Sequence, residues 1–436
     1  VSITTAVQVI VTKSTALPTR AGFGTVLIAA YHTVVGSVVR TFSSLALAEA
    51  AGFTAAAYPA IHRALTVAFL QNPRPPTVKI GKRTLPPTQV VAIGPRAAQG
   101  TGYVWSYVID GVTISYTEQA ADTVTLISDG LRAAVTAAAL DITPSGTTTV
   151  IHTADNAGEI HSFKADPVLY TIAETTTDPG IATDLSAIQA ADEDWYGLAL
   201  DSQSPLELAA AAAWCETRTK DLAGDAYTTD VIDSGSSTDI GSVLQTALRD
   251  RSWTYWTDGR ISAYYALGRM AGHFAAYDPG TATWAYKATR GVENYDILTP
   301  VQDVLESKNV NYTANFGGVY VMLTGTMASG EWIDVTRTID WTVARVREDV
   351  INLLIANPKL PYDDPSLATV QGAIRQRLEG GVPTIFSAEP APFVSVPAVA
   401  DIDAADRTAR LLPDVEFFAQ IAGAIHTVQI NGLLQI

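Results

Sequence analysis

The chain has 436 residues, of which 47% are hydrophobic and 17% charged, and its formal net charge is −16. That length exceeds what one core can fill and implies two or three domains, while the apolar content excludes gross disorder. The acidic balance argues against nucleic acid as a partner of the chain as a whole, because phosphate binding needs clustered Lys and Arg.

Residues 1–16 alternate loosely, with Ile3, Val7, Val9 and Val11 set against Gln8 and Lys13, and read as an extended arm ending at Pro18. The opening VSITTAV has neither the basic nor the apolar region of a secretory signal. GTVLIAAY at 24–31 is a continuous apolar run, the pattern of a strand covered on both faces. Helices are expected near 43–51 and 58–71, then a strand at 77–82. The basic stretch NPRPPTVKIGKR, with Arg74, Lys79, Lys82 and Arg83, reads as a solvated edge strand protected by charge and proline. From about 96 to 168 the character changes. Two alternating runs meet at Asp110-Gly111, a hairpin signal, and a helix near 120–140 and two short strands follow. This segment reads as a small α+β unit inserted into a larger domain.

An α/β rhythm resumes at DWYGLALDS (194–202), another buried strand. Ser204, Pro205 and Glu207 form an S-x-x-E capping box at the start of the next helix. Leu208, Ala212 and Cys215 share one face of that helix, so the single cysteine reads as a packed core thiol; alone, it excludes a disulfide framework and cysteine-based zinc sites. Strand AYTTDVID, helix 239–249, strand WTYWTD and helix 260–275 continue the pattern, which implies right-handed crossovers and a largely parallel sheet. After about 300, a hairpin turns through Gly317-Gly318. A long helix then carries Val335, Ile339, Val343, Val346, Val350 and Leu353 as its apolar stripe. A further helix begins at Asp364-Pro365 and ends at Gly380-Gly381, and the chain closes on strands, the last pair split by Asn431-Gly432.

A search for chemistry finds none. The six histidines (His32, His62, His152, His161, His273 and His426) show no metal-ligand spacing and read as surface or sheet-edge residues. GFGTV and GPRAAQGTG are not phosphate loops, DSGSST is not a nucleophile elbow, and the acidic clusters ADEDW and DIDAAD do not match a calcium loop. No catalytic residue, cofactor or metal ligand is therefore expected. No run of eighteen apolar residues occurs, so no membrane insertion is expected. The apolar, alternating ends become the informative feature. They suit strand addition, in which backbone hydrogen bonds complete a sheet in the same molecule or in the next copy.

Several stretches resemble those of bacteriophage contractile-tail sheath proteins. They are ADEDWYGLALDSQSPLELAAAAAWCE (191–216), YDPGTATWAYKATRGV (277–292), the run from Asn309 to Asp364, and DIDAADRTARLLPDVEFFAQIAGAIHTVQING (401–432). The resemblance covers most of the chain from 191 onward; the first 190 residues match less sharply. It implies a multidomain α/β and α+β fold. A parallel-sheet α/β body would span 17–95 and 169–300, and an inserted outer α+β domain 96–168. An inner α+β domain over 301–436 would carry extended strand arms, 1–16 at the N-terminus and about 424–436 at the C-terminus.

The resemblance further implies a non-enzymatic protomer, assembled in a host cytoplasm and placed in a virion tail. It would polymerise by strand exchange into a helical sheath around a tail tube and contract to drive the tube through the host envelope. The implied partners are other copies of the chain, the tail tube protein, and baseplate and tail-terminator proteins. Ile3, Val7, Val9, Val11, Val428, Ile430, Leu433 and Leu434 would make the intersubunit arms. Arg375 and Arg377, with Lys359 nearby, would face the tube. The sheath of a bacteriocin or secretion machine is the alternative within this class, and an α/β enzyme with an unrecognised site the alternative outside it.

Overall fold

The computed structural model describes residues 22–291 and 293–430. The expected arm positions Ile3, Val7, Val9, Val11, Leu433 and Leu434, and the Asn431-Gly432 turn, lie outside the described residues. The described residues fall into two compact units, 22–339 with 423–430, and 340–422.

The larger unit is organised by a six-stranded sheet. Its order is Ser252–Trp256, Asp221–Ala226, Gly197–Leu200, Val26–Tyr31, Val78–Arg83 and Val39–Phe42, parallel throughout except for the last edge strand. The expected parallel α/β body is therefore present. Val26 to Ala30 are fully buried, as a strand covered on both faces requires. Three local expectations fail. The strand Val78–Arg83 is internal, because the unforeseen strand Val39–Phe42 lies outside it; Lys79 and Arg83 are buried and, of the four cations in the basic stretch, only Arg74 is exposed. The strand expected at AYTTDVID lies upstream, at Asp221–Ala226. Its two Asp and one Gly disfavour a strand locally, but burial between two parallel neighbours overrides propensity. The capping box does not form: Ser204 Oγ donates to the Thr176 carbonyl at 2.9 Å, and Glu207 turns to Arg83.

A second core, built on Val91, Trp105, Tyr107, Ile127, Leu131 and Tyr170, joins two antiparallel four-stranded sheets to the helix Val124–Ala138. The helix buries Ile127, Leu131 and Val135 at four-residue steps and is capped by the Thr123 side chain. Gly130 lets it close on the sheet, since a Cβ there would stand 2.1 Å from the Tyr116 ring. The hairpin Val104–Ile109 / Val112–Thr117 turns through Asp110 and Gly111 at φ 47° and 82°, the two left-handed residues of a type I′ turn. His152 is buried on the internal strand Val150–Ala154, where Tyr107 Oη lies 2.9 Å from Nε2 and the Val91 carbonyl 3.0 Å from Nδ1. Burial lowers its pKa to about 4, so it packs as a neutral ring. His32, His161 and His273 are buried as well, which corrects the surface assignment for four of the six histidines.

The smaller unit packs Ile374, Leu378, Ile385, Phe386 and Val394 against Trp341, Val346 and Val350. The helix Ile333–Ala356 departs from its expected stripe, since Ile339 and Val343 are exposed while Thr338 and Thr342 are buried.

Candidate assembly surfaces

The six-stranded sheet reverses its winding between Val26–Tyr31 and Gly197–Leu200. Ligands of open α/β sheets bind beyond the carboxyl ends of the strands at such a point. Here the chain supplies its own contents. Arg83, wholly buried, ends its strand among three carboxylates: Asp201 at 2.9 Å, Glu207, and Asp184 at 3.7 Å. Asp201 also accepts the Tyr31 amide at 2.8 Å, and Asp184 accepts the amides of Thr84 and Leu85 at 3.0 and 3.2 Å. Burial alone would lower the Arg83 pKa, but Asp201 and Glu207 more than offset it and hold the guanidinium above its ordinary value. A crevice of about 250 Å³ remains in front of Tyr31. The backbone of Gly158 closes on the Tyr31 ring so tightly that a Cβ there would lie 2.1 Å from it. Among the described residues, no group of three or more His, Cys, Asp or Glu is arranged to hold a metal ion, and no helix is long and apolar enough to cross a membrane.

Two further buried carboxylates serve structure. Asp225 accepts the amides of Tyr265 and Ala266 at 3.1 and 2.8 Å, capping a helix whose own first residue offers no side-chain cap. Glu174 meets Thr176 Oγ at 2.6 Å and the Tyr227 hydroxyl, which donates to the Gln203 carbonyl at 2.8 Å. Burial pushes Glu174 up to about 7. Its ordinary value is near 4.5, so the folded state binds the proton more tightly than the unfolded chain. The stability this gives is complete below the unfolded value and is lost as pH rises towards 7. At about 1.4 kcal/mol per unit, the loss is about 3 kcal/mol. Glu174→Gln, which keeps a donor for the Tyr227 oxygen without the charge, should raise the urea midpoint at pH 8 and leave it unchanged at pH 4.

The surfaces that remain unfinished lie elsewhere. In the smaller unit, Phe393–Ser395 and Glu416–Phe418 pair as a two-stranded antiparallel sheet, extended by a bridge between Phe386 and Ile421. Phe393 and Phe418 stack at 5.6 Å, yet Phe393 is 58% exposed and Phe417 and Phe418 are exposed too. In the larger unit, residues 423–430 form no strand. They are held at His426, whose Nε2 lies 2.7 Å from Thr283 Oγ1, whose carbonyl accepts the Tyr286 hydroxyl at 2.7 Å, and whose ring sits 4.3 Å from that of Trp332. Beyond it Val428 and Ile430 stand 71% and 86% exposed. Arg375 is exposed and pairs with Glu379 on its own helix at 2.6 Å. Arg377 is half-buried and held by both oxygens of Asp349, at 2.6 and 2.9 Å. Lys359 is exposed. The sequence motifs marked the C-terminal stretch, but the open sheet edge carried no signal beyond short apolar runs.

The chain matches no protein-family model and no curated protein. Solved structures match it over nearly its whole length. A chain of the anti-feeding prophage baseplate is 12% identical, with 99% of each chain covered and a TM-score of 0.55. The anti-feeding prophage helical sheath in its contracted state is 14% identical, covering 98% of this chain and 99% of that one, at 0.54. The sheath complex of an extracellular contractile injection system, also contracted, is 10% identical, covering 99% and 97%, at 0.55. The class is thereby defined as a multidomain α/β and α+β fold of the contractile-sheath type. The chain carries that fold from its first described strand to its last.

Proposed function

We propose that the chain is a structural protomer of a contractile sheath, which polymerises with its own copies around an inner tube and shortens to drive that tube forward. The observation that carries this reading is the two-stranded sheet of the smaller unit. Two strands alone are marginal in water, and exposed phenylalanines on them call for further strands. Extended apolar arms from neighbouring copies suit that role: Ile3, Val7, Val9 and Val11 at one end, Val428, Ile430, Leu433 and Leu434 at the other. Such exchange is head-to-tail, and when its rotation does not close it yields a helix. Contraction is then a change of lattice between rigid bodies linked by these arms, with no nucleotide or other cofactor required.

Tube carboxylates are the proposed partners of Arg375. The Arg375–Glu379 pair is solvent-exposed and worth at most about 1 kcal/mol, so it yields to a better partner. Arg377, two positions on, is turned to Asp349, which already holds it. Negative-stain microscopy of the purified chain, alone and with its tube protein, should show helical cylinders. Charge reversal of Arg375 should reduce co-assembly on tubes by more than half while far-ultraviolet circular dichroism stays unchanged. A chain that remains single in both conditions would refute the reading. Because two of the matched structures are sheaths of an anti-feeding prophage and an injection system, an injection machine is the second reading beside a phage tail, with baseplate and terminator partners in either.

A further inference from the structure

In the smaller unit, the end of the helix Ile333–Ala356, the link 357–362, the start of the helix Asp364–Glu379 and the turn after Ala404–Ala409 enclose a groove of about 810 Å³. Leu354, Leu360 and Val370 give it an apolar lining, and Leu354 is more than half exposed. Lys359, Arg407 and Arg410 also line it, and all three are exposed. Unlike Arg375 and Arg377, none of them pairs with a carboxylate among the described residues, and no acidic side chain lines the groove. Arg410 is held at φ 59°, a left-handed helix end where glycine is the usual residue.

In a chain with 44 acidic and 28 basic side chains, three unpaired cations around one groove with apolar patches are a departure that selects an occupant. The occupant must be anionic and must carry apolar side chains. The undescribed ends of this chain do not qualify: 1–21 contains no Asp or Glu but does contain Lys13 and Arg20, and 431–436 carries no charged side chain. The stretch 293–307 does. It holds Glu293, Asp296, Asp303 and Glu306 without a single Lys or Arg, and Leu298 among them stands 71% exposed.

We propose that this groove docks the acidic segment 293–307 of a second copy of the chain, with Leu298 on the apolar lining and Asp296 and Asp303 against Lys359, Arg407 and Arg410. This deepens the sheath reading and rests on it, adding a charge-selected contact between bodies to the exchange of arms. Mutual repulsion between copies of net charge −16 makes such a cationic seat useful, and its strength should fall with added salt.

The test is fluorescence anisotropy with a labelled peptide of residues 293–307, titrated with the full chain at a dilution where it sediments as a single copy. Binding should weaken at least tenfold with Lys359→Glu/Arg407→Glu/Arg410→Glu, and equally when the peptide carries Asp296→Asn, Asp303→Asn and Glu306→Gln. Equal binding by the triply substituted peptide, equal binding to the triple variant, or no binding at about 1 mM peptide overturns the assignment. Microscopy separates the two readings. Cylinders that grow as well from the triple variant as from the parent refute the groove and leave the sheath standing, whereas a parent that forms none refutes the sheath.

Discussion

Arg83→Met should cost the larger unit about 3–5 kcal/mol, the expectation for removing one partner of a buried ion cluster. The substitution leaves Asp201 and Glu207 without their cation in a place from which water is excluded. Both must then either stay charged and unpaired or take up protons. The damage spreads because those acids organise backbone: Asp201 orients the start of the 31–32 segment through the Tyr31 amide, and Glu207 lies in the first turn of the helix Pro205–Glu216. Urea unfolding followed by tryptophan fluorescence measures the loss. Adding Glu207→Gln to Arg83→Met should recover part of it, because one orphaned charge is removed. A loss under 1 kcal/mol for Arg83→Met alone would mean that the cluster does not hold the strand ends together.

This cluster also marks the boundary of what the sequence discloses. The continuous apolar runs at 26–31 and 197–200 declared buried strands, and the Asp110-Gly111 pair declared its hairpin, because those signals are local. Arg83 gave the opposite impression. Beside Lys79, Lys82 and three prolines it reads as solvated, and only the meeting of three distant segments at 83, 184 and 201–207 makes it a core residue. Glu207 is hidden for the same reason, since its position fits a local cap while its charge is claimed by a partner 124 residues away. The cationic groove was equally hidden. Arg407 and Arg410 sit close in sequence to Asp401, Asp403 and Asp406, so the string reads as mixed charge until folding sets both arginines beside Lys359.

Truncation after His426 should abolish helical polymers while leaving the folded protomer as stable as its parent. The two outcomes separate because of where each contact lies. His426 keeps its bonds to Thr283 and Tyr286 and its place against Trp332, so the stretch up to it stays attached. Val428 and Ile430 are exposed in the single copy, and their removal takes little from its own core. In a polymer, each of these side chains would contribute about 1.5–3 kcal/mol on burial, and each backbone hydrogen bond to a receiving strand about 1 kcal/mol. Several kcal/mol per joint, repeated at every copy, is the difference between a filament and a solution of monomers. The matched substitution Val428→Lys/Ile430→Lys tests the side chains while keeping the backbone. It should lengthen the lag before cylinders appear and raise the protein concentration they need by at least tenfold. Sedimentation velocity and microscopy read both variants, and thermal melting of each confirms that the protomer is intact. If cylinders form from the truncated chain at the parent's concentration, the C-terminal arm is not the link, and the open edge beside Phe393 must be completed by the N-terminal arm alone.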